Sequence, residues 1–175
     1  MKHVMKTQGN PRLLVTPEEL SSMIAGSGAK KPLVLDLRPP DAYATGHIPG
    51  AIHLDLWGVS LIDTDPAPLD AFMWMIEHVL ATHGVDATTP VVVYDEQSGM
   101  RAARAFWFLE YFGHASVRML DGGFTAWAAA GLEITRDAGP APAGRTRPRS
   151  RTARSLLRAD LAPGDGALAS RRLEL

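Results

Sequence analysis

Pro90-Val91-Val92-Val93-Tyr94, then Asp95-Glu96-Gln97-Ser98-Gly99, then Met100 to Phe112 closed by Gly113, is the stretch on which the fold turns. The apolar run Val91–Tyr94 does not alternate with polar residues, which predicts a strand buried on both faces. Met100 to Phe112 is long enough for a helix, and Gly113 supplies its stop. Strand, polar loop and helix in this order form the repeating unit of a parallel α/β sheet. In such sheets ligands gather beyond the carboxyl ends of the strands, near helix N-termini. The loop after Tyr94 is therefore the first place to look for chemistry.

Outward from this unit the same alternation recurs. Thr16-Pro17-Glu18-Glu19 is a capping box with proline at the first helical position, and Gly26 ends that helix. Leu33-Val34-Leu35-Asp36-Leu37 is a buried strand, Asp41 to Thr45 a brief helical turn closed by Gly46, and Ala51-Ile52-His53-Leu54 a further strand. Residues 56–69 hold two prolines and no period, and are expected to be a long connection. From Asp70 to His83 the spacing of Phe72, Met73, Ile76, Val79 and Leu80 predicts a helix that Gly84 stops. Val117 to Leu120 is a strand, Asp121-Gly122-Gly123 a turn, and Phe124 to Ala130 a helix stopped by Gly131. The fold class expected is α/β: a single domain over residues 12–137, with a parallel sheet covered by helices on both faces.

Charge divides the chain at the same place. Residues 1–137 hold 10 basic and 16 acidic side chains, a net −6, whereas residues 138–175 hold 8 arginines and 3 acids, a net +5. The latter stretch is rich in Pro, Ala and Arg without aromatic or β-branched aliphatic residues, so a disordered linker or tail is expected there. Its arginines lack interleaved aromatics, and nucleic acid is not an expected partner. No stretch approaches the ~18 apolar residues of a membrane span, and Met1 to Arg12 lacks the apolar run of a signal peptide. A cytoplasmic address is expected.

The chain has no cysteine, which excludes disulfides, zinc–thiolate sites and thiol nucleophiles. His78 and His83 are five apart on one helix and face different ways. His47, His53 and Asp55 are close in sequence without a ligating pattern. Neither a metal nor another cofactor is expected.

Three segments carry a family resemblance. Asp36-Leu37-Arg38, with Tyr43 and Gly46-His47-Ile48-Pro49-Gly50-Ala51, resembles the N-terminal signature of rhodanese-like domains. Leu120-Asp121-Gly122-Gly123-Phe124, with Trp127 and Gly131, is similar to their C-terminal signature. Tyr94 to Arg101 occupies the place of their active-site loop. In that family a cysteine opens the loop, and backbone N–H groups at a helix N-terminus surround its sulfur. Counting back from Gly99 and Arg101 puts Glu96 at the cysteine position; counting forward from Tyr94 puts Asp95 there. Either register leaves a carboxylate and no catalytic residue.

The resemblance implies an anion-binding loop of Glu96, Gln97, Ser98, Gly99, Met100 and Arg101. It also suggests Arg38 as a substrate contact, although a salt bridge holding its own loop is the stronger expectation. His47 is expected to tie the loop by a ring hydrogen bond rather than to catalyse. Ser98 has no nearby histidine to serve as its base. The long connection and the helix ending in Tyr111-Phe112-Gly113-His114 resemble the N-terminal, non-catalytic domain of tandem thiosulfate/3-mercaptopyruvate sulfurtransferases. The chain lacks the His-Met-Leu-Pro stretch of mercaptopyruvate-type members, which counts against that substrate. The partner implied is a catalytic rhodanese domain, in the same or a separate chain, with a small sulfur-containing anion as ligand. The alternative is a stand-alone adaptor that binds an anion or a protein through an unarmed loop. A cysteine placed at Glu96, more than at Asp95, is expected to become reactive.

Overall fold

A computed structural model describes residues 13–26 and 31–139. Of the tail expected over residues 138–175, the part from Pro140 onward lies outside the described residues, as does Arg12 at the expected start of the domain. The element order is β1 (Leu14–Val15), α1 (Pro17–Ala25), β2 (Leu33–Asp36), α2 (Pro40–Thr45), β3 (Ile52–His53), α3 (Pro66–Thr82), β4 (Val91–Tyr94), α4 (Met100–Tyr111), β5 (Val117–Leu120) and α5 (Gly123–Ala129).

The five strands form one sheet in the order β1-β5-β4-β2-β3, and every pairing is parallel. β4 is central because its four residues are buried throughout. Their side chains alternate between two cores. Val91 and Val93 join Leu35, Val117, Ile76, Leu80, Ala105 and Phe108 under α3 and α4. Val92 and Tyr94 join Val34, Val15, Leu20, Leu120 and Trp127 under α1 and α5. Helices therefore cover both faces of the parallel sheet, as expected.

Two readings change. The connection expected to run to residue 69 ends earlier, because α3 begins at Pro66. The first-turn N–H groups of a helix have no intrahelical acceptor, so Pro66 and Pro68 cost nothing there and open the helix instead of preventing it. β1 was not expected at all. It is two residues long, too short to show a period, and exists through Met119 N–H donating to the Leu13 carbonyl and Asp121 N–H to that of Val15. The Thr16 capping box forms as expected, with Glu19 N–H donating to Thr16 Oγ1 and Thr16 N–H to Glu19 Oε2.

The described residues also run two past the expected domain end at Asp137. Residues 132–139 return across the loop after α2: His47 N–H donates to the Thr135 carbonyl and Thr135 N–H to that of His47, both at 2.9 Å. No helix among the described residues is long and apolar enough to cross a membrane.

Candidate functional site: a carboxylate in the loop after β4

At the end of β4 the chain turns from a buried tyrosine into Asp95, which is itself buried. Three backbone N–H groups converge on the Asp95 carboxylate. Gln97 N–H at 3.2 Å and Gly99 N–H at 2.7 Å donate to Oδ1, and Ala102 N–H at 3.0 Å donates to Oδ2. Ala102 lies in the first turn of α4, where Gly99 at the cap position has no side chain to offer. Asp95 thus supplies from four residues upstream the capping oxygen that the helix start lacks. A cap of this kind contributes ~1 kcal/mol, and the negative charge complements the helix N-terminus.

The loop's outer shape depends on α5. Phe124 N–H donates to the Asp95 carbonyl and Thr125 N–H to the Glu96 carbonyl, each at 2.9 Å. This contact requires glycine at position 123, where φ is +59° and a Cβ would stand 2.5 Å from the Asp95 carbonyl oxygen and 2.7 Å from Gln97 N. Ser98 takes φ 60°, unusual for a side-chain-bearing residue, and its hydroxyl donates to the Leu120 carbonyl at 2.5 Å. The Ser98 oxygen is committed to the β5 end, and no histidine among the described residues bonds to it.

The two carboxylates left open by the sequence part company here. Asp95 lies inside the N–H ring. Glu96 points outward with its side chain 58% exposed, accepts from Thr125 Oγ1 at 3.2 Å, and lies 3.6 Å from Arg38. The preference for Glu96 as the site of an installed cysteine is corrected accordingly. It rested on counting back from Gly99, whereas the N–H groups of Gln97, Gly99 and Ala102 turn toward Asp95.

Arg38 is also corrected as a substrate contact. It is 2% exposed. Its Nε lies 3.1 Å from both Asp36 oxygens, and one terminal nitrogen donates to Asp36 Oδ2 and to the Gly46 carbonyl, both at 2.7 Å. The guanidinium lies 3.7 Å from the Phe124 ring centre. Burial alone would lower its pKa, but the bond and charge of Asp36 raise it above the ordinary value. Tyr94 completes the cluster by donating to Asp36 Oδ2 at 2.5 Å while accepting from Ile48 N–H at 3.3 Å. Burial first, and then the Asp36 charge, pushes the Tyr94 phenol well above its usual range. The phenol is a fixed donor, not an acid for catalysis.

His47 has the tying role expected of it: Nδ1 meets the Tyr43 carbonyl at 3.0 Å and Nε2 the Asp137 carbonyl at 2.9 Å. His53 Nε2 is held on the Arg38 carbonyl. Sequence reading counted Arg101 among the anion-loop residues and missed the outer rim that it forms with Asp55, Trp57 and Arg104. Arg101 donates to Asp55 Oδ1 at 2.9 Å and lies 4.7 Å from the Trp57 ring centre. Arg104 donates to the carbonyls of Trp57 and Val59. Only the aromatic residue in a polar connection, with two arginines three apart on a later helix, could have signalled this clamp. Met100 is 72% exposed and touches no part of the ring.

The Rhodanese-like domain family matches residues 16–130. The thiosulfate sulfurtransferase of Azotobacter vinelandii is 34% identical over 133 residues, covering 75% of this chain and 47% of that protein. The thiosulfate sulfurtransferase of Pseudomonas aeruginosa is 34% identical over 137 residues, again covering 75% and 47%. Among solved structures, SseA of Escherichia coli, a 3-mercaptopyruvate sulfurtransferase, superposes with a TM-score of 0.60 at 26% identity, covering 77% of this chain and 56% of that one. The chain thus spans about half the length of the relatives it matches. With the two signatures bracketing a β4–α4 loop on a parallel sheet, the chain belongs to the rhodanese-like domain family, related to the thiosulfate and 3-mercaptopyruvate sulfurtransferases.

Proposed function

We propose that the chain is the non-catalytic rhodanese domain of a two-domain sulfurtransferase, with Asp95 standing where the catalytic domain carries its cysteine. The observation that carries this reading is the Asp95 carboxylate enclosed by the N–H groups of Gln97, Gly99 and Ala102, in a chain with no cysteine. Transfer through a persulfide needs a thiolate to attack the donor sulfur and hold it. A carboxylate can satisfy the same N–H donors but has no sulfur on which to carry the group. The names of the relatives supply sulfur transfer from thiosulfate as the reaction class, and their greater length supports a further half that supplies the thiol, in the same or a separate chain. The small sulfur-containing anion is bound by that assembly. In this half, Asp95 and Glu96 both oppose a second negative charge at the loop.

The test is thiosulfate:cyanide sulfur transfer by the purified chain, alone and as Asp95→Cys. The wild type is expected to give no turnover above buffer. The Asp95→Cys chain is expected to gain one thiosulfate-derived sulfur, read by mass, with little turnover because the opposing half is missing. Wild-type turnover that vanishes in Asp95→Ala would overturn the reading. The adaptor alternative is weakened at this loop, since the ring already holds the chain's own carboxylate; an adaptor would have to bind elsewhere.

A further inference from the structure

Three of the chain's four tryptophans are substantially exposed: Trp57 at 46%, Trp74 at 60% and Trp107 at 55%. All three belong to the side of the sheet covered by α3 and α4. Among the described residues, no large exposed apolar side chain lies on α1 or α5. Scattered exposed apolar residues are ordinary, but tryptophan concentrated on one layer marks a surface that takes a partner.

The outward face of α4 has an internal order of its own. Ala102, Ala105, Phe108 and Leu109 point into the core, so Met100, Ala103, Trp107 and Glu110 are exposed on the opposite side at helical spacing. They are flanked by the half-buried Arg104, bonded to the 57–59 connection, and Tyr111, whose ring lies 5.3 Å from that of Trp107. Trp107 sits in the middle. Three residues before it stands Arg104 and three after it Glu110; four before it stands Ala103 and four after it Tyr111. A two-fold axis through Trp107 that lays α4 antiparallel on its own copy brings Arg104 opposite Glu110 and Ala103 opposite Tyr111. Each small residue then meets a large one and each charge meets its opposite, twice over, as an isologous interface requires. Glu110 makes no ion pair among the described residues. Trp57 extends the face at its N-terminal end, fixed by Arg101 over its ring and Arg104 on its carbonyl. A tryptophan so held loses little freedom on being covered.

We infer that this chain associates with a second copy of itself through the outer face of α4, antiparallel about Trp107. The inference stands apart from the sulfurtransferase reading. It needs neither the loop nor a catalytic partner, and its test does not measure activity.

Sedimentation velocity of the full-length chain over a wide concentration series reads the association. A monomer–dimer equilibrium is expected, weakened at least on the order of tenfold by Trp107→Glu, as for a central aromatic anchor. Glu110→Arg, on an exposed side chain with no ion pair among the described residues, sets two arginines against each other at both pairs and is expected to weaken association without altering the far-UV circular dichroism. Mixing Glu110→Arg with Arg104→Glu chains restores opposite charges at both pairs, so the mixture should associate more tightly than either component. A chain monomeric at every concentration overturns the proposal. So does a dimer indifferent to Trp107→Glu or Glu110→Arg, or a mixture no tighter than its parts.

Discussion

A carboxylate that accepts three backbone N–H groups does two jobs that a thiolate in the same place would also do. It neutralises the start of α4 and fixes the path of the loop; on the reading proposed above, Asp95 so keeps the shape of a sulfur-accepting site without its sulfur. Asp95→Cys is therefore expected to place a thiol among the same donors and to alkylate fast near neutral pH, with a pKa below the ordinary ~8.5. Glu96→Cys should behave as an ordinary surface thiol, because Glu96 lies outside the ring. A pH profile of iodoacetamide labelling on both variants checks this, and equal ordinary thiols would mean that the ring closes only around a carboxylate. Gly123→Ala is expected to damage the loop more than either change. Its Cβ would meet backbone atoms of Asp95, Glu96 and Gln97, none of which can rotate away. The sequence offered both carboxylates and favoured Glu96, because which of them turns into the ring depends on the path of the loop, which contacts from α5 set about 28 positions later. The strand end before the loop, which the sequence did show, is held by Tyr94 reaching Asp36 across the sheet, 58 positions away in the chain.

Among the elements, those legible in advance were the ones whose signals are local. The capping box of α1, the glycine stop of α4 and the apolar run of β4 each needed only neighbouring residues. The start of α3 was misread because proline was taken as a breaker, when in a first turn it is an opener. The joint between β2 and α2 depends on a buried ion pair and was legible only as a choice between salt bridge and substrate contact. Arg38→Ala leaves Asp36 charged in the core, and the expected loss is ~3–5 kcal/mol of stability, read by urea unfolding. Between α3 and β4, Asp86 accepts from Thr88 N–H at 2.7 Å, Thr89 N–H at 2.7 Å and both hydroxyls. The bond from Thr88 N–H leads in holding its carboxyl well below the usual range. A depressed carboxyl stabilises the fold at pH above its unfolded value of ~3.9 and loses that contribution as pH falls below it. The stability gap between wild type and Asp86→Ala should thus be present at neutral pH and shrink in acid. A gap that stays constant through the acid limb would show that the turn works by shape rather than charge.

For the molecule as a whole, the β-α order and the two-sided core could be anticipated from apolar runs, whereas the closure of the chain on itself could not. Residues 132–139 carry no period, and their partners in the first signature lie about 90 positions earlier. Yet they tie the last helix to the first signature: Trp127 Nε1 donates to the Glu133 carbonyl, Arg136 Nε to that of Thr45, and the His47 ring spans the carbonyls of Tyr43 and Asp137. Gly139 ends the strap against Ala51, where a Cβ would stand 2.4 Å from the carbonyl oxygen. Because His47 and Thr135 exchange both backbone hydrogen bonds, neither amide can be exposed without freeing the other. Their hydrogen exchange should therefore report a single opening with one free energy. Gly139→Ala is expected to force the end of the strap away from Ala51 and accelerate exchange at both amides by the same factor. The amides of β4, buried on both sides in the centre of the sheet, should keep their wild-type rates. Amide exchange followed by two-dimensional NMR distinguishes the outcomes: acceleration at Thr135 without His47 would mean the strap frays alone, and acceleration reaching Val92 would mean that its closure holds the whole sheet.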